Sequence, residues 1–217
     1  GNHINPSYSQ DGEDVVLLSH FKHIKENMAS GVYVDIGAHH PLRFNNTKIF
    51  YDLGWRGINI DGLDGTKKIF NKYRPGDINL ELIVSGECGE ATFYKYEEGA
   101  ISNATHSQMK KRQEQGYPST GKEVKEAIDL NKIFEKYVCN REVDFLFIDV
   151  QGDELNVLKG NDFNKNRPKC IVIGFSNNNI FDIRGNQITK YLLRFGYIPL
   201  YKSIFTTFYF KSEALLK

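Results

Sequence analysis

The sequence predicts an α/β fold, a mostly parallel, doubly wound sheet that ends in an antiparallel hairpin. Three observations carry this. Short apolar runs alternate with segments of helical periodicity, which is the pattern of repeated β-α units. Three of the runs end on or near an acid, at Asp35, Asp61 and Asp149. The last two runs, YIPLYKS and TTFYFK, are separated by only a few residues. No helical crossover fits in that space, so this pair runs antiparallel.

The elements follow in order. SQDGEDVVLLSHFKHI reads as a helix that Ser9 or Asp11 can cap, with acids in its first turn and Val15, Leu18, Phe21 and Ile24 on one face. GVYVDIG is a short buried strand. NNTKIFYDLGW is helical and stops at Gly54, and GINIDG is a second strand. DGTKKIFNKYRP is a helix closed by Pro75. INLELIVSG supplies a third strand, and the alternating ATFYKYE an extended piece nearer an edge. Residues 99–122 are polar and aperiodic, which marks a mobile loop or lid. KEVKEAIDL returns to the sheet and NKIFEKY is helical. VDFLFIDV is the most apolar strand, DELNVLKG a helix stopped at Gly160, KCIVIGF a strand and QITKYLLRFG an amphipathic helix. There is no internal repeat or domain boundary, so residues 1–217 form a single domain.

Composition narrows the function. The chain has 217 residues, 40% hydrophobic and 25% charged, with a formal net charge of +1. That balance offers no global field for nucleic acid or an anionic membrane. No run approaches the roughly 18 apolar residues of a membrane span. The opening GNHINPSYSQDGED is too polar for a secretory signal. Cys88, Cys139 and Cys170 are too scattered for a disulfide framework or a zinc site, which points to a reducing, cytoplasmic setting.

The candidate site follows from the acids. In doubly wound sheets ligands bind beyond the carboxyl ends of the strands, where strand order reverses. A lone acid there is as readily a helix cap, but three in successive units are better read as the rim of one site. Asp61 stands 26 positions after Asp35 (61 − 35), close to where an acid grips a ribose diol in dinucleotide-binding folds. The glycines that cradle a pyrophosphate are missing. After Gly37 and Ala38 come His39, His40, Pro41 and Leu42. An adenosine ligand with a small zwitterion in place of phosphates fits, and S-adenosylmethionine is such a ligand. Its ribose suits Asp61, and its ammonium suits a carboxylate at the first turn.

Five stretches, SQDGED, YVDIGAHHP, the NNT after it, GWRGINIDG and FLFIDVQGDELNVLKG, together resemble the FkbM-type methyltransferases. The similarity runs in order from about Ser9 to the closing GYIPLY. It implies a class I Rossmann-like methyltransferase fold with an antiparallel C-terminal strand. It also implies S-adenosylmethionine as cofactor and O-methylation of a sugar, glycan precursor or other small metabolite. Cofactor-binding positions on this reading are Gln10, Glu13, Asp35, Gly37, Ala38, Asn46, Thr47, Asp61, Ser85 and Asp149. The catalytic candidates are Asp149, His40 and Gln151, with Asp149 the first choice as general base and His40 the second. No metal ligand set is assigned.

One departure stands out. The family motif is Asp-Val-Glu-Gly-x-Glu, and this chain has Gln151 where the first glutamate is usual, while Asp149, Gly152 and Glu154 match. Glutamine cannot take a proton at any relevant pH. An already anionic acceptor, such as a phosphate, phosphoramidate or carboxylate, is therefore an alternative, with the KKRQEQ cluster of the polar segment as a lid that draws it in. Two rival readings are a non-catalytic cofactor-binding scaffold and an NAD-dependent dehydrogenase, and the missing glycines count against the dehydrogenase. Oligomeric state is not readable from the sequence.

Overall fold

The computed structural model describes residues 6–97, 99, 102, 104, 106–174, 183 and 185–215. The strands of the main sheet are β1 (Val32–Ile36), β2 (Arg56–Asp61), β3 (Ile78–Glu81), β7 (Phe145–Ile148), β8 (Cys170–Gly174), β9 (Tyr197–Lys202) and β10 (Thr206–Lys211). Their spatial order is β3-β2-β1-β7-β8-β10-β9. All neighbours run parallel except β10, which is antiparallel to both β8 and β9. Strand order reverses at β1, which pairs β2 on one side and β7 on the other.

The period of two along each strand divides the core into two layers. Tyr33, Phe145, Phe147, Val172, Phe208 and Phe210 face α1 (Glu13–Ile24) and α2 (Lys48–Asp52), with Leu17, Leu18, Phe21, Phe50 and Trp55 filling the layer. Helix α3 (Thr66–Tyr73) links β2 to β3. Val34, Ile36, Leu146, Ile148, Ile171 and Ile173 face the other way. They pack with residues of α5 (Leu130–Ile133), α6 (Glu154–Lys159) and α7 (Gln187–Leu193).

Several expectations are corrected. INLELIVSG is split. β3 stays in the main sheet, while β4 (Ile83–Val84) turns away to pair with β6 (Gly121–Ile128). The KEVKEAIDL segment does not return to the main sheet. It forms β6 at the centre of a separate three-stranded sheet, β4-β6-β5, where β5 is Gly89–Lys95. Its alternation of charged and apolar residues suits a sheet with one wet face, not a parallel strand buried on both. The 99–122 segment contains a helix, α4 (His106–Glu114). With Met109 as its one apolar residue it carries no apolar stripe, although its residues are good helix formers and Gly116 ends it at φ +86°. Helix α1 begins after Gly12, in the left-handed region; the Ser9 hydroxyl accepts from the Asp14 amide of its first turn at 3.4 Å. Its buried face uses Leu17 rather than Val15, and Ile24 is exposed.

Candidate functional site

The carboxyl ends of β1, β2 and β7 meet under tight steric limits. Gly37 has φ +80°, and a Cβ there would lie 1.9 Å from the Asp149 carbonyl oxygen. Only glycine allows the two strand tips to approach this closely. The Asp149 amide donates to the Ile36 carbonyl at 2.9 Å, and the Gly37 and Ala38 amides both donate to the Ile60 carbonyl. On the other side, a Cβ on Gly174 would fall 2.7 Å from the Asp149 Cγ. Asp149 is therefore wedged between two glycines at the point where strand order reverses.

Two hollows open there. A cleft of about 500 Å³ is lined by Gln10, Glu13, Asn46, Lys111, Arg112, Asp149 and Gln151 among others. Beside it, a smaller recess has an apolar side of Ile60, Leu82, Ile83 and Phe93 and is also lined by Asp61, Asp149 and Asp153. Gly37, His39 and Asp149 line both. The Asp61 carboxylate accepts from the His39 amide at 2.8 Å and the Leu63 amide at 2.7 Å, which fixes the first turn. Burial raises its pKa, and those two backbone hydrogen bonds oppose the shift.

Burial also pushes Asp149 up to about 6, assisted by the charge of Glu13 and opposed by a hydrogen bond from Gln151. That bond runs from Gln151 Nε2 to Asp149 Oδ1 at 2.7 Å. Gln151 itself sits at φ +60°, in the left-handed region. Its Oε1 accepts from Arg112 Nη2 of α4 at 2.7 Å. Glu154 closes the same turn by accepting from the Gly152 amide at 2.9 Å and the Val150 amide at 3.2 Å, and burial raises its pKa to about 7. Glu13 accepts from the Thr206 hydroxyl and from the Asp11 amide.

Other candidates lie elsewhere. Asp35 is 2% exposed and points into the aromatic layer, where it accepts from the Thr47 hydroxyl at 3.2 Å. Burial raises its pKa to about 7 against the pull of Arg74. Thr47 is fully buried and accepts from Arg74 Nη1 at 2.8 Å. Asp35 and Thr47 thus belong to a polar cluster beneath the cleft and line neither hollow, as is true of Ala38 and Ser85. Ser85 instead accepts a hydrogen bond from Asn156. His40 does not line the cleft either. Its Nδ1 accepts from the Leu42 and Arg43 amides, both at 3.1 Å, so the ring braces its own loop, and burial lowers its pKa. The histidine at the cleft is His39, whose φ of +53° turns it inward where His40 turns away. Asp14 is also buried, and it ties down the N-terminal strap through Ser7, Tyr8 and Ser9. Lys111 and Arg112 line the cleft and belong to the KKRQEQ cluster that the sequence offered as a lid for an anionic acceptor.

A parallel sheet that reverses at β1, with a recess and a polar cleft over that reversal, is a Rossmann-like α/β fold with a candidate ligand site where such folds carry one. The family model described as "Methyltransferase FkbM domain" matches residues 35–199, and the chain belongs to that family. Comparison with curated proteins gives no significant match. The protein is thus a methyltransferase with a class I Rossmann-like fold. Among the described residues, no helix is long and apolar enough to cross a membrane.

Proposed function

We propose that the protein transfers a methyl group from S-adenosylmethionine to a hydroxyl of a small-molecule acceptor, with Asp149 as the general base. The observation that carries this is the position of Asp149, a half-buried carboxylate with a pKa raised to about 6 that borders both recess and cleft. At neutral pH it is mostly ionised, yet basic enough to take a proton in the transition state.

The residues present suit the cofactor. Asn46 lines the cleft with its Oδ1 buried and without a hydrogen-bond partner, an acceptor that an ammonium group would satisfy. Glu13 adds a carboxylate in the same cleft, Asp61 suits a ribose diol, and Ile60, Leu82 and Phe93 suit a flat apolar ring. Bound there, S-adenosylmethionine would supply a methyl group already activated by its sulfonium. What remains for the protein is alignment, worth on the order of 7 kcal/mol or more, and removal of the acceptor proton, worth about 10² to 10⁴ in rate. Gln151 holds the Asp149 carboxylate toward the cleft without competing for the proton.

The test is calorimetric titration with S-adenosylmethionine, followed by radiolabelled methyl transfer into hydroxylated small molecules, using wild type and Asp149→Asn. Saturable cofactor binding and transfer that the substitution abolishes are expected. Absence of cofactor binding overturns the reading.

A further inference from the structure

We propose, building on the methyl-transfer reading, that the acceptor carries a phosphate or carboxylate group, that Arg112 and Lys111 of α4 recognise it, and that Gln151 keeps Arg112 available for it. The cleft carries both signs of charge. Its acids are Glu13, at the start of α1, and Asp149 and Glu154, beyond β7; Lys111 and Arg112 form its α4 wall, and Arg43 adds a cation from the loop after β1. Lys111 and Arg112 are three and four residues after Gln108, which also lines the cleft, so one helix face is presented to it. The acids suit the positive end of the methyl donor and would repel an anion. A basic wall does the reverse, so the two ligands are sorted by charge within one cavity.

Arg112 is only partly satisfied. One guanidinium nitrogen donates to Gln151, while its Nε is shielded from solvent without a partner. Arg112 lines the cleft, and phosphate and carboxylate oxygens are the acceptors that match a guanidinium fork. Gln151 explains how the charge survives next to Asp149. Its amide donates to Asp149 on one side and accepts from Arg112 on the other. A glutamate there could not donate to Asp149, and it would neutralise Arg112 directly. The amide separates the two charges and consumes neither. The departure from the family motif is therefore a determinant of what the cleft accepts.

Inorganic phosphate and, separately, acetate are titrated into the full chain by calorimetry, with S-adenosylmethionine affinity measured on the same samples. Wild type is expected to bind one of the two saturably, and which one binds separates phosphate-bearing from carboxylate-bearing acceptors. Arg112→Gln and Gln151→Glu are each expected to weaken that binding about tenfold or more, in the range for hydrogen bonds to charged groups, and Lys111→Gln about threefold. Cofactor affinity should stay within about twofold in Arg112→Gln and Lys111→Gln, and thermal melts check the fold of each variant. No saturable anion binding by wild type, or binding retained within twofold in both Arg112→Gln and Gln151→Glu, overturns the proposal. Loss of S-adenosylmethionine binding by wild type would instead count against the methyl-transfer reading, and the anion titration would still be interpretable.

Discussion

Asp149 answers to two opposing demands. Burial between Gly37 and Gly174 makes it a better base, while the Gln151 amide steadies its charged form. With a pKa near 6, turnover on a hydroxyl acceptor should rise as pH increases through about 6 and then level off. Asp149→Asn should lower kcat by about 10² to 10⁴. A pH-independent rate between about 5 and 8 would remove Asp149 as the base. Asp61 is tested by binding. Asp61→Ala should weaken S-adenosylmethionine by about 1.5 to 3 kcal/mol, the range for a hydrogen bond to a charged group. Because Asp61 also holds the His39 and Leu63 amides, Asp61→Asn serves as the control. Equal affinity in both folded variants would take Asp61 out of the site. At this scale the sequence was readable where a residue lies at or beyond the end of its strand, as Asp61 and Asp149 do. Asp35 lies inside β1, so the strand's period of two turns it into the aromatic layer. Nor could spacing decide between His39 and His40, because the choice depends on one backbone dihedral.

Among elements, the β1–β7 crossing and α4 differ most in how firmly they are held. Gly37→Ala would combine an unfavourable φ of +80° with a Cβ 1.9 Å from a carbonyl oxygen. The expected loss is about 2 to 4 kcal/mol of stability from strain and overpacking, measured by chemical denaturation. A loss under about 0.5 kcal/mol would mean the strand tips separate freely. Helix α4 is the opposite case. Met109 is its one apolar residue, and of its described side chains none is buried. Its amides should exchange quickly in the free protein and slow when cofactor and acceptor are both bound. Slow exchange in the free protein would show a rigid wall, not a closing one. The parallel strands of the main sheet were legible as apolar runs, and the terminal hairpin from its short link. The second sheet and α4 were not, because their stability comes from partners distant in sequence and from polar contacts that leave no hydrophobic period.

For the whole molecule, buried acids couple stability to pH. The folded-state pKa values of Asp35 and Glu154 are near 7 and that of Asp149 near 6, all above those of an unfolded chain. Their contribution to stability is fully present below the unfolded values, near about 4. It is lost as pH rises through the folded values, between about 6 and 7. The ligand-free protein should therefore lose stability from these groups as pH goes from about 5 to 7.5. Asp35→Asn should flatten that slope by up to about 1.4 kcal/mol per pH unit, the equivalent of one proton. Urea titrations at several pH values measure it, and an unchanged slope would mean Asp35 is ionised throughout the range.

The route of the chain around the site has a consequence for how such proteins diversify. Strands β5 and β6 pair from Gly89–Ala127 to Lys95–Gly121, and the Thr120 amide donates back to the Lys95 carbonyl. Helix α4 is thus carried at the tip of a hairpin whose ends already meet, while Asp149 sits at the end of a main-sheet strand and Glu13 at the start of α1. Sequence drift between residues 96 and 120 costs little folding free energy, since loop-closure entropy changes slowly with length and exposed tips tolerate insertion. On the proposed reading, the part of the cleft that meets the acceptor can be rewritten by inheritance while the part that meets the methyl donor stays fixed. Descendants of one such chain could change what they modify without relearning how to fold.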